Sequence, residues 1–271
     1  MNKSDAYDRE RDLQLWSAKK WSMVTPPMRP SARELAVFER EIAGAGIGPG
    51  AEALILGATP ELRSLALRLG LRTTGCDVDR NFWQAMTLLR TTEGPEGFVH
   101  SNWLEFQADR SFDVILADCA LSMLGREDCG TLVSRIPGWL RDDGLSIQRV
   151  QWANEDLTLD SIDAAMKAYR EAPPGISLNL HLIFLAESLR NIQNPEMTNR
   201  EFFEARVFPR LEPAEIELLK PFVVDRKFHY LRRKDLLAII ESRFEIVREE
   251  KSFGPGIWGT ASVVVLKKRR R

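Results

Sequence analysis

From Ala53 onward, short apolar runs alternate with segments in which apolar residues recur every three or four positions. The runs at 53–56, 72–76, 97–100, 112–117 and 145–150 have the length of strands buried on both faces. Between them, 60–69, 80–91 and 126–140 carry helical spacing. This alternation predicts an α/β fold: a doubly wound, mostly parallel sheet with helices on both faces and a ligand crevice at the carboxyl ends of the strands. After Val150 the rhythm changes. Helical patterns at 161–171 and 178–190 are separated by Pro173-Pro174-Gly175, and no convincing strand occurs before Leu231, so a helical cap inserted after the fifth strand is expected. The alternation then resumes with a helix at 234–243, a strand at 245–252, a Gly254-Pro255-Gly256 turn and a strand at 261–266, the last two close enough for a hairpin.

Ahead of the first strand, residues 2–29 mix charges with Trp16, Trp21 and Met23 and run into Pro26-Pro27-Met28-Arg29-Pro30, which predicts a helix followed by an ordered crossing segment. Ser31 reads as an N-cap with Glu34 three residues on, and Leu35, Phe38 and Ile42 continue at helical spacing to the glycines at 44–50. The expected organisation is an N-terminal helical segment (1–50), a core assembled from 51–151 and 232–271, and a substrate-binding cap (152–231).

Composition narrows the class. Hydrophobic residues make up 44% and charged residues 28%, the balance of a soluble globular protein. A formal net charge of -1 gives the chain as a whole no drive toward polyanions, so no nucleic-acid partner is expected. The basic end from Lys267 to Arg271 reads as a solvated terminus. Cys76, Cys119 and Cys129 show no CxxC spacing, which fits a reducing cytosol better than a zinc knuckle or a disulfide framework. The polar N-terminus carries no signal-peptide core, and no stretch approaches the ~20 apolar residues that span a bilayer, so a cytoplasmic protein without membrane association is expected.

The chemistry concentrates where the first strand ends. In Leu56-Gly57-Ala58-Thr59-Pro60-Glu61 a buried strand turns directly into a helix through a glycine, which lets backbone approach a bound nucleoside. Pro60 suits the first turn of that helix. The second strand ends at Cys76-Asp77, and a carboxylate there can accept hydrogen bonds from both ribose hydroxyls. These features alone are shared by nicotinamide, flavin and adenosyl-cofactor proteins.

The ordered series Leu56-Gly57-Ala58-Thr59-Pro60-Glu61, Gly75-Cys76-Asp77-Val78-Asp79, Ser101-Asn102-Trp103-Leu104 and Phe112-Asp113-Val114-Ile115-Leu116-Ala117-Asp118 resembles the motifs of class I, Rossmann-like S-adenosylmethionine-dependent methyltransferases. The resemblance implies a seven-stranded sheet of order 3-2-1-4-5-7-6 and S-adenosylmethionine as cofactor. It places Gly57, Ala58 and Thr59 at the methionine part of the cofactor, Asp77 on the ribose, and Val78, Asn102 and Trp103 around the adenine. Asp118 and Cys119 fall where methionine and substrate meet. Two positions depart from the family's pattern: the first motif has one glycine rather than two or three, and Asn102 stands where an Asp is usual. Asp118-Cys119-Ala120-Leu121 is also not the motif associated with amino-nitrogen methylation of adenine or glutamine, which points away from base methylation.

Methyl transfer from a sulfonium is an in-line displacement that needs positioning and water exclusion more than a nucleophile. A base helps when the acceptor is a hydroxyl or a protonated nitrogen, which makes His181, on the apolar cap helix, and His229 with Tyr230, where the chain returns from the cap, the candidate catalytic residues. His100 reads as structural, and Trp152, Tyr169 and Phe184 as further pocket candidates. No metal is expected, because Asp142 and Asp143 fall at the opposite end of the fifth strand from Asp118. The reading is an enzyme that methylates an O, N or C atom of a small-molecule metabolite. Its alternatives are a non-catalytic cofactor-binding or regulatory protein on the same fold, and a nicotinamide oxidoreductase.

Overall fold

The computed structural model describes residues 15, 17–22, 24, 26, 28–171, 178–225, 227, 229–252 and 261–269, with the side chains of 178–181 and 184 outside that description. Trp16, Met23, Pro27, Pro173-Pro174-Gly175, Gly254-Pro255-Gly256 and the last two arginines therefore lie outside the described residues, as do the side chains of His181 and Phe184.

Ala53, Leu54, Ile55 and Leu56 are all buried, and their side chains alternate between two apolar layers as strand geometry requires. Leu54 and Leu56 join Ile115 and Ala117 in a layer with Leu132, Val133, Ile136 and Ile240, while Ala53 and Ile55 join Val114 and Leu116 in a layer with Phe38, Ile42, Leu62 and Leu65. Two covered faces are the signature of a doubly wound sheet. Its strands are β1 (Glu52–Leu56), β2 (Arg72–Asp77), β3 (Glu96–His100), β4 (Phe112–Asp118), β5 (Leu140–Gln151), β6 (Phe244–Lys251) and β7 (Ala261–Lys268), in the order β3-β2-β1-β4-β5-β7-β6. β1 to β5 pair in parallel, and β7 lies antiparallel between β5 and β6.

The helices of the two layers are α1 (Ala32–Gly44), α2 (Pro60–Arg68), α3 (Arg80–Thr87), α4 (Arg126–Trp139) and α9 (Arg233–Glu241). α1 starts in the capping box expected from Ser31 and Glu34: the Ser31 Oγ accepts from Glu34 N at 3.2 Å and Glu34 Oε2 accepts from Ser31 N at 2.7 Å. β5 differs from expectation. It begins at Leu140, five residues early, because the pairing with β4 shifts between Phe112 and Val114, so that the exposed Arg141-Asp142-Asp143 form part of the bulge itself.

Between β5 and α9 the chain is helical: α5 (Asp160–Glu171), α6 (Leu178–Gln193), α7 (Asn199–Phe202), a π-helical turn at Phe203–Val207, and α8 (Pro213–Leu219). Ile162, Met166, Leu182, Leu185, Leu189, Phe202, Phe203 and Leu219 give this part an apolar centre of its own. A buried polar knot there joins Arg190 to Glu187 at 3.0 Å and to the Met197 carbonyl at 2.8 Å, with Asn199 also bonded to Glu187. The two ends of the insertion meet: Ala153 N donates to the Leu231 carbonyl at 3.0 Å. Among the described residues no helix is long and apolar enough to cross a membrane.

One packing detail of the sheet is exposed to test. A Cβ on Gly75, in β2, would lie 1.8 Å from Trp83 Cη2, and that indole is held by the Arg63 guanidinium 3.7 Å from the ring centroid and by Phe98, with centroids 4.9 Å apart. Gly75→Ala is expected to destabilise the fold by about 1–3 kcal/mol through overpacking. Urea unfolding measures this, and an unchanged midpoint would mean that Trp83 moves aside at no cost.

Candidate functional site

Gly57, directly after β1, has a φ of +102°, a backbone conformation that favours glycine. A Cβ at that position would meet Trp103 Cζ2 at 3.6 Å and Asp77 Oδ2 at 4.0 Å, so three residues from separate strand ends converge over a bare stretch of backbone. The Cys76 carbonyl ties them together, accepting from Gly57 N at 3.0 Å and from the Trp103 indole Nε1 at 2.8 Å. Asn102 Oδ1 accepts from Leu104 N at 3.0 Å, a local turn that sets the path of Trp103.

Asp77 Oδ1 accepts from Asp79 N at 2.8 Å, and Asp79 in turn caps α3 through Phe82 N at 2.8 Å. Burial pushes the Asp77 carboxyl above its ordinary range; hydrogen bonds from the backbone of Asp79 and Val78 and the nearby His100 offset this only in part. The Val78 side chain is exposed, while its carbonyl is 2.7 Å from His100 Nε2.

The other half of the edge is charged. Arg149 pairs in register with Asp118 at the carboxyl ends of β5 and β4 and is 1% exposed. Its Nη1 donates to Asp118 Oδ1 at 2.7 Å and to Cys119 Sγ at 3.1 Å, and its Nε donates to Glu34 Oε1 at 2.6 Å. Burial raises the Glu34 carboxyl, but Arg149 and the hydrogen bonds around it more than compensate and leave it lowered. Thr59 Oγ1 donates to Asp118 Oδ2 at 3.2 Å, linking this cluster to the loop after Gly57. Cys119 is the non-glycine residue with positive φ, +55°, among those described; its N donates to the Arg149 carbonyl at 2.8 Å, and burial pushes its thiol far up, so it stays a neutral thiol.

From the insertion side, Tyr230 is half-buried and lies within the electrostatic reach of Glu187 and Arg190 on α6 and of Cys119 and Arg149 on the sheet. Burial, with Glu187 and Cys119, raises its phenol well above the ordinary value. His229 lies against Gly125 at the start of α4, its Cε1 and Nδ1 4.0 Å from where a Cβ would be. Its pKa is lowered by burial and by Arg190 and Lys227, against a smaller pull from Asp128. His181 sits on α6 with its side chain outside the described residues. Trp152 is buried in the sheet's apolar layer, and Tyr169 is partly buried against that of the insertion.

The fold thus brings Gly57, Ala58, Thr59, Asp77, Val78, Asn102, Trp103, Asp118 and Cys119 to the carboxyl edge of the sheet, with Tyr230 within electrostatic reach of Cys119. The open depressions lined by Gly46, Pro49, Asp113, Arg141 and Lys268 lie at the opposite edge. Sequence reasoning passed over Arg149 as a member of the site. An arginine inside the strand-length segment Ser146-Ile147-Gln148-Arg149-Val150 was the available signal, since a buried guanidinium demands carboxylate partners. Among the described residues no group of three His, Cys, Asp or Glu side chains is arranged to hold a metal ion.

No family model and no curated protein matches the chain. Solved structures do. A Rhodobacter sphaeroides protein provisionally named a Zn-dependent alcohol dehydrogenase aligns with a TM-score of 0.63 at 15% identity, over 95% of this chain and 98% of its own. The 1,6-didemethyltoxoflavin-N1-methyltransferase of Burkholderia thailandensis, with 1,6-didemethyltoxoflavin and S-adenosylhomocysteine bound, gives 0.54 at 14% identity over 98% and 90%. The N-methyltransferase NodS of Bradyrhizobium japonicum WM9, in complex with S-adenosylhomocysteine, gives 0.52 at 11% over 95% and 99%. With its strand order and the antiparallel β7 between β5 and β6, the chain has the fold of the class I S-adenosylmethionine-dependent methyltransferases.

Proposed function

We propose that the protein is an S-adenosylmethionine-dependent methyltransferase that modifies an O, N or C atom of a small-molecule metabolite, held between the carboxyl edge of the sheet and the helices at 152–231. The observation that carries this reading is the convergence of Asp77 and Trp103 over the side-chain-free Gly57. That arrangement fits an adenosyl cofactor: a Cβ would fill the space a ribose and its sulfur-bearing arm need, and the free edge of Asp77 can accept from a vicinal diol. The cofactor, when bound, supplies an electrophilic methyl group on a sulfonium.

The chain's own residues do the rest. Asp77 fixes the ribose, Trp103 and Asn102 line the base, and Thr59 with Asp118 borders the methionine arm. The insertion excludes water and sets the acceptor in line. Tyr230 is a neutral phenol at this pH and donates a hydrogen bond to an acceptor atom at the Cys119 end of β4, while His181 or the neutral imidazole of His229 takes the proton that an acceptor releases.

Calorimetric titration with S-adenosylhomocysteine is the first test. Asp77→Ala is expected to lose about ten- to a hundredfold in affinity, equivalent to ~1.5–3 kcal/mol. Because only the ionised carboxylate accepts from both hydroxyls and the Asp77 pKa is raised, affinity should be lost on acidification at a higher pH than an ordinary aspartate would show, and Asp77→Asn should lack that dependence. Unchanged affinity in both variants removes Asp77 from the site.

A second test concerns the insertion. Hydrogen exchange with S-adenosylhomocysteine and an acceptor present should show protection between Trp152 and Tyr230; protection confined to 53–103 would mean that these helices do not close on ligand. Replacing His181 by Asn is expected to lower turnover roughly 10²–10⁴-fold at intact cofactor affinity if it is the base. A fall in melting temperature with near-normal turnover would make it a packing residue.

A further inference from the structure

Gln151 is the last residue of β5 and is only 2% exposed, yet its side-chain Oε1 has no hydrogen-bond partner among the described residues. Its backbone is engaged: Ser122 Oγ accepts from Gln151 N at 2.9 Å and donates to the Gln151 carbonyl at 2.7 Å, and Ser122 N donates to the Cys119 carbonyl at 3.0 Å. The residue is thereby tied to the turn at Cys119, while the oxygen at its tip is left over. A buried amide oxygen without a donor is costly, and native proteins keep few of them. Gln148 also has an unpaired Oε1, but its Nε2 donates to Ser146 Oγ at 2.7 Å and it lies fully buried within the sheet, three residues short of the edge.

Strand alternation puts Gln151 on the same face of β5 as Arg149, opposite Val150 and Trp152, which belong to the apolar layer shared with α4 and α9. The chain returning from the insertion meets β5 at the same place: Ala153 is bridged to Arg232 in parallel, so Gln151 and Tyr230 each stand two residues upstream of one junction. Tyr230 accordingly feels Arg149 and Cys119 on the sheet and Glu187 and Arg190 on α6, and its raised pKa keeps the phenol protonated at neutral pH. The guanidiniums around it are answered by the protein itself, Arg149 by Glu34 and Asp118 and Arg190 by Glu187. At Gln151 and Tyr230 the junction therefore offers a ligand a neutral amide and a neutral phenol.

We propose that Gln151 is a specificity residue for the methyl acceptor, its Oε1 taking an N–H of an uncharged, planar lactam or imide whose neighbouring carbonyl accepts from the same side-chain amide. This rests on the methyl-transfer reading above and names its acceptor class. A side-chain amide carries an acceptor and two donors in one plane, which matches a ring edge that sets N–H beside C=O. The Tyr230 hydroxyl adds a donor for a further ring oxygen or nitrogen. A charged acceptor is selected against, because a carboxylate or ammonium brought next to guanidinium–carboxylate pairs that are already closed loses its hydration and gains no counter-charge. A neutral ligand without an N–H is rejected as well, since it leaves the Gln151 oxygen buried and unpaired.

The test is calorimetric titration of the full chain, saturated with S-adenosylhomocysteine, with two neutral probes, uracil and lumazine, and two charged ones, 3,4-dihydroxybenzoate and tyramine. At least one neutral probe is expected to bind and the charged pair is not. Gln151→Met is expected to weaken the bound lactam about ten- to a hundredfold while S-adenosylhomocysteine affinity changes by less than about twofold. Without ligand the same variant, which removes a buried unpaired amide at nearly constant volume, is expected to melt about 2–4 °C higher, whereas replacing a hydrogen-bonded structural glutamine would lower the melting temperature. Preference for the charged probes, failure of both lactams to bind, unchanged lactam affinity in Gln151→Met, or a lowered melting temperature each overturns the assignment of Gln151. If the unmodified protein does not bind S-adenosylhomocysteine, the cofactor reading itself falls.

Discussion

A single guanidinium holds the functional edge together. Arg149 sits in a layer from which water is excluded, where an isolated charge costs several kcal/mol even after relaxation. It is tolerated because two carboxylates reach it from different parts of the chain: Asp118 from the adjacent strand and Glu34 from the helix that precedes the sheet. Such a pairing is weak evidence for stability as such. Its effect is geometric, since the N-terminal helix, the loop after β1 through Thr59 and the end of β4 are positioned by reference to one buried cation. Glu34 does this with one oxygen while its other oxygen closes the capping box of its own helix, so the start of α1 and the end of β5 are fixed by one side chain.

The opposite half of the edge is organised by backbone. The Cys76 carbonyl receives both the Gly57 amide and the Trp103 indole, which brings the ends of three strands to one point without any charge. A neutral, shape-determined half beside a charged half matches a ligand whose two ends differ in the same way, nucleoside at one side and amino acid at the other. Tyr230 then stands between sheet and insertion, sensing charges from both.

The positions of the strands were legible because short runs of strand length alternate with helical spacing, and Gly57 and Asp77 stood out at the ends of two of them, whereas the strand order was available only through the resemblance of the ordered motifs. The beginning of β5 was hidden by Arg141-Asp142-Asp143-Gly144, a polar run that belongs to a bulge at the solvent edge. Residues 199–222 were hidden for another reason: their helices are short, pass through a π-helical turn and include Pro209, Pro213 and Pro221, so no helical period survives. Their capping boxes, Thr198 with Glu201 and Glu212 with Glu215, were nonetheless present in the sequence as start signals. Within the site, Glu34 was readable as a local cap but not as a partner of Arg149, because the two are 115 positions apart and nothing in a single sequence reports that distance.

The hydrogen bond from Ala153 to Leu231 closes the insertion at its base, next to a parallel bridge between Ala153 and Arg232. To the sheet, everything between those residues is topologically a stitch: the chain departs and returns at nearly the same point. Closing a loop of this size costs only logarithmically more entropy than closing a short one, so the lineage is free to lengthen, trim or rebuild that excursion at little thermodynamic penalty to the sheet beneath it. The sheet and the excursion are thereby parts of the molecule that can diverge at different rates.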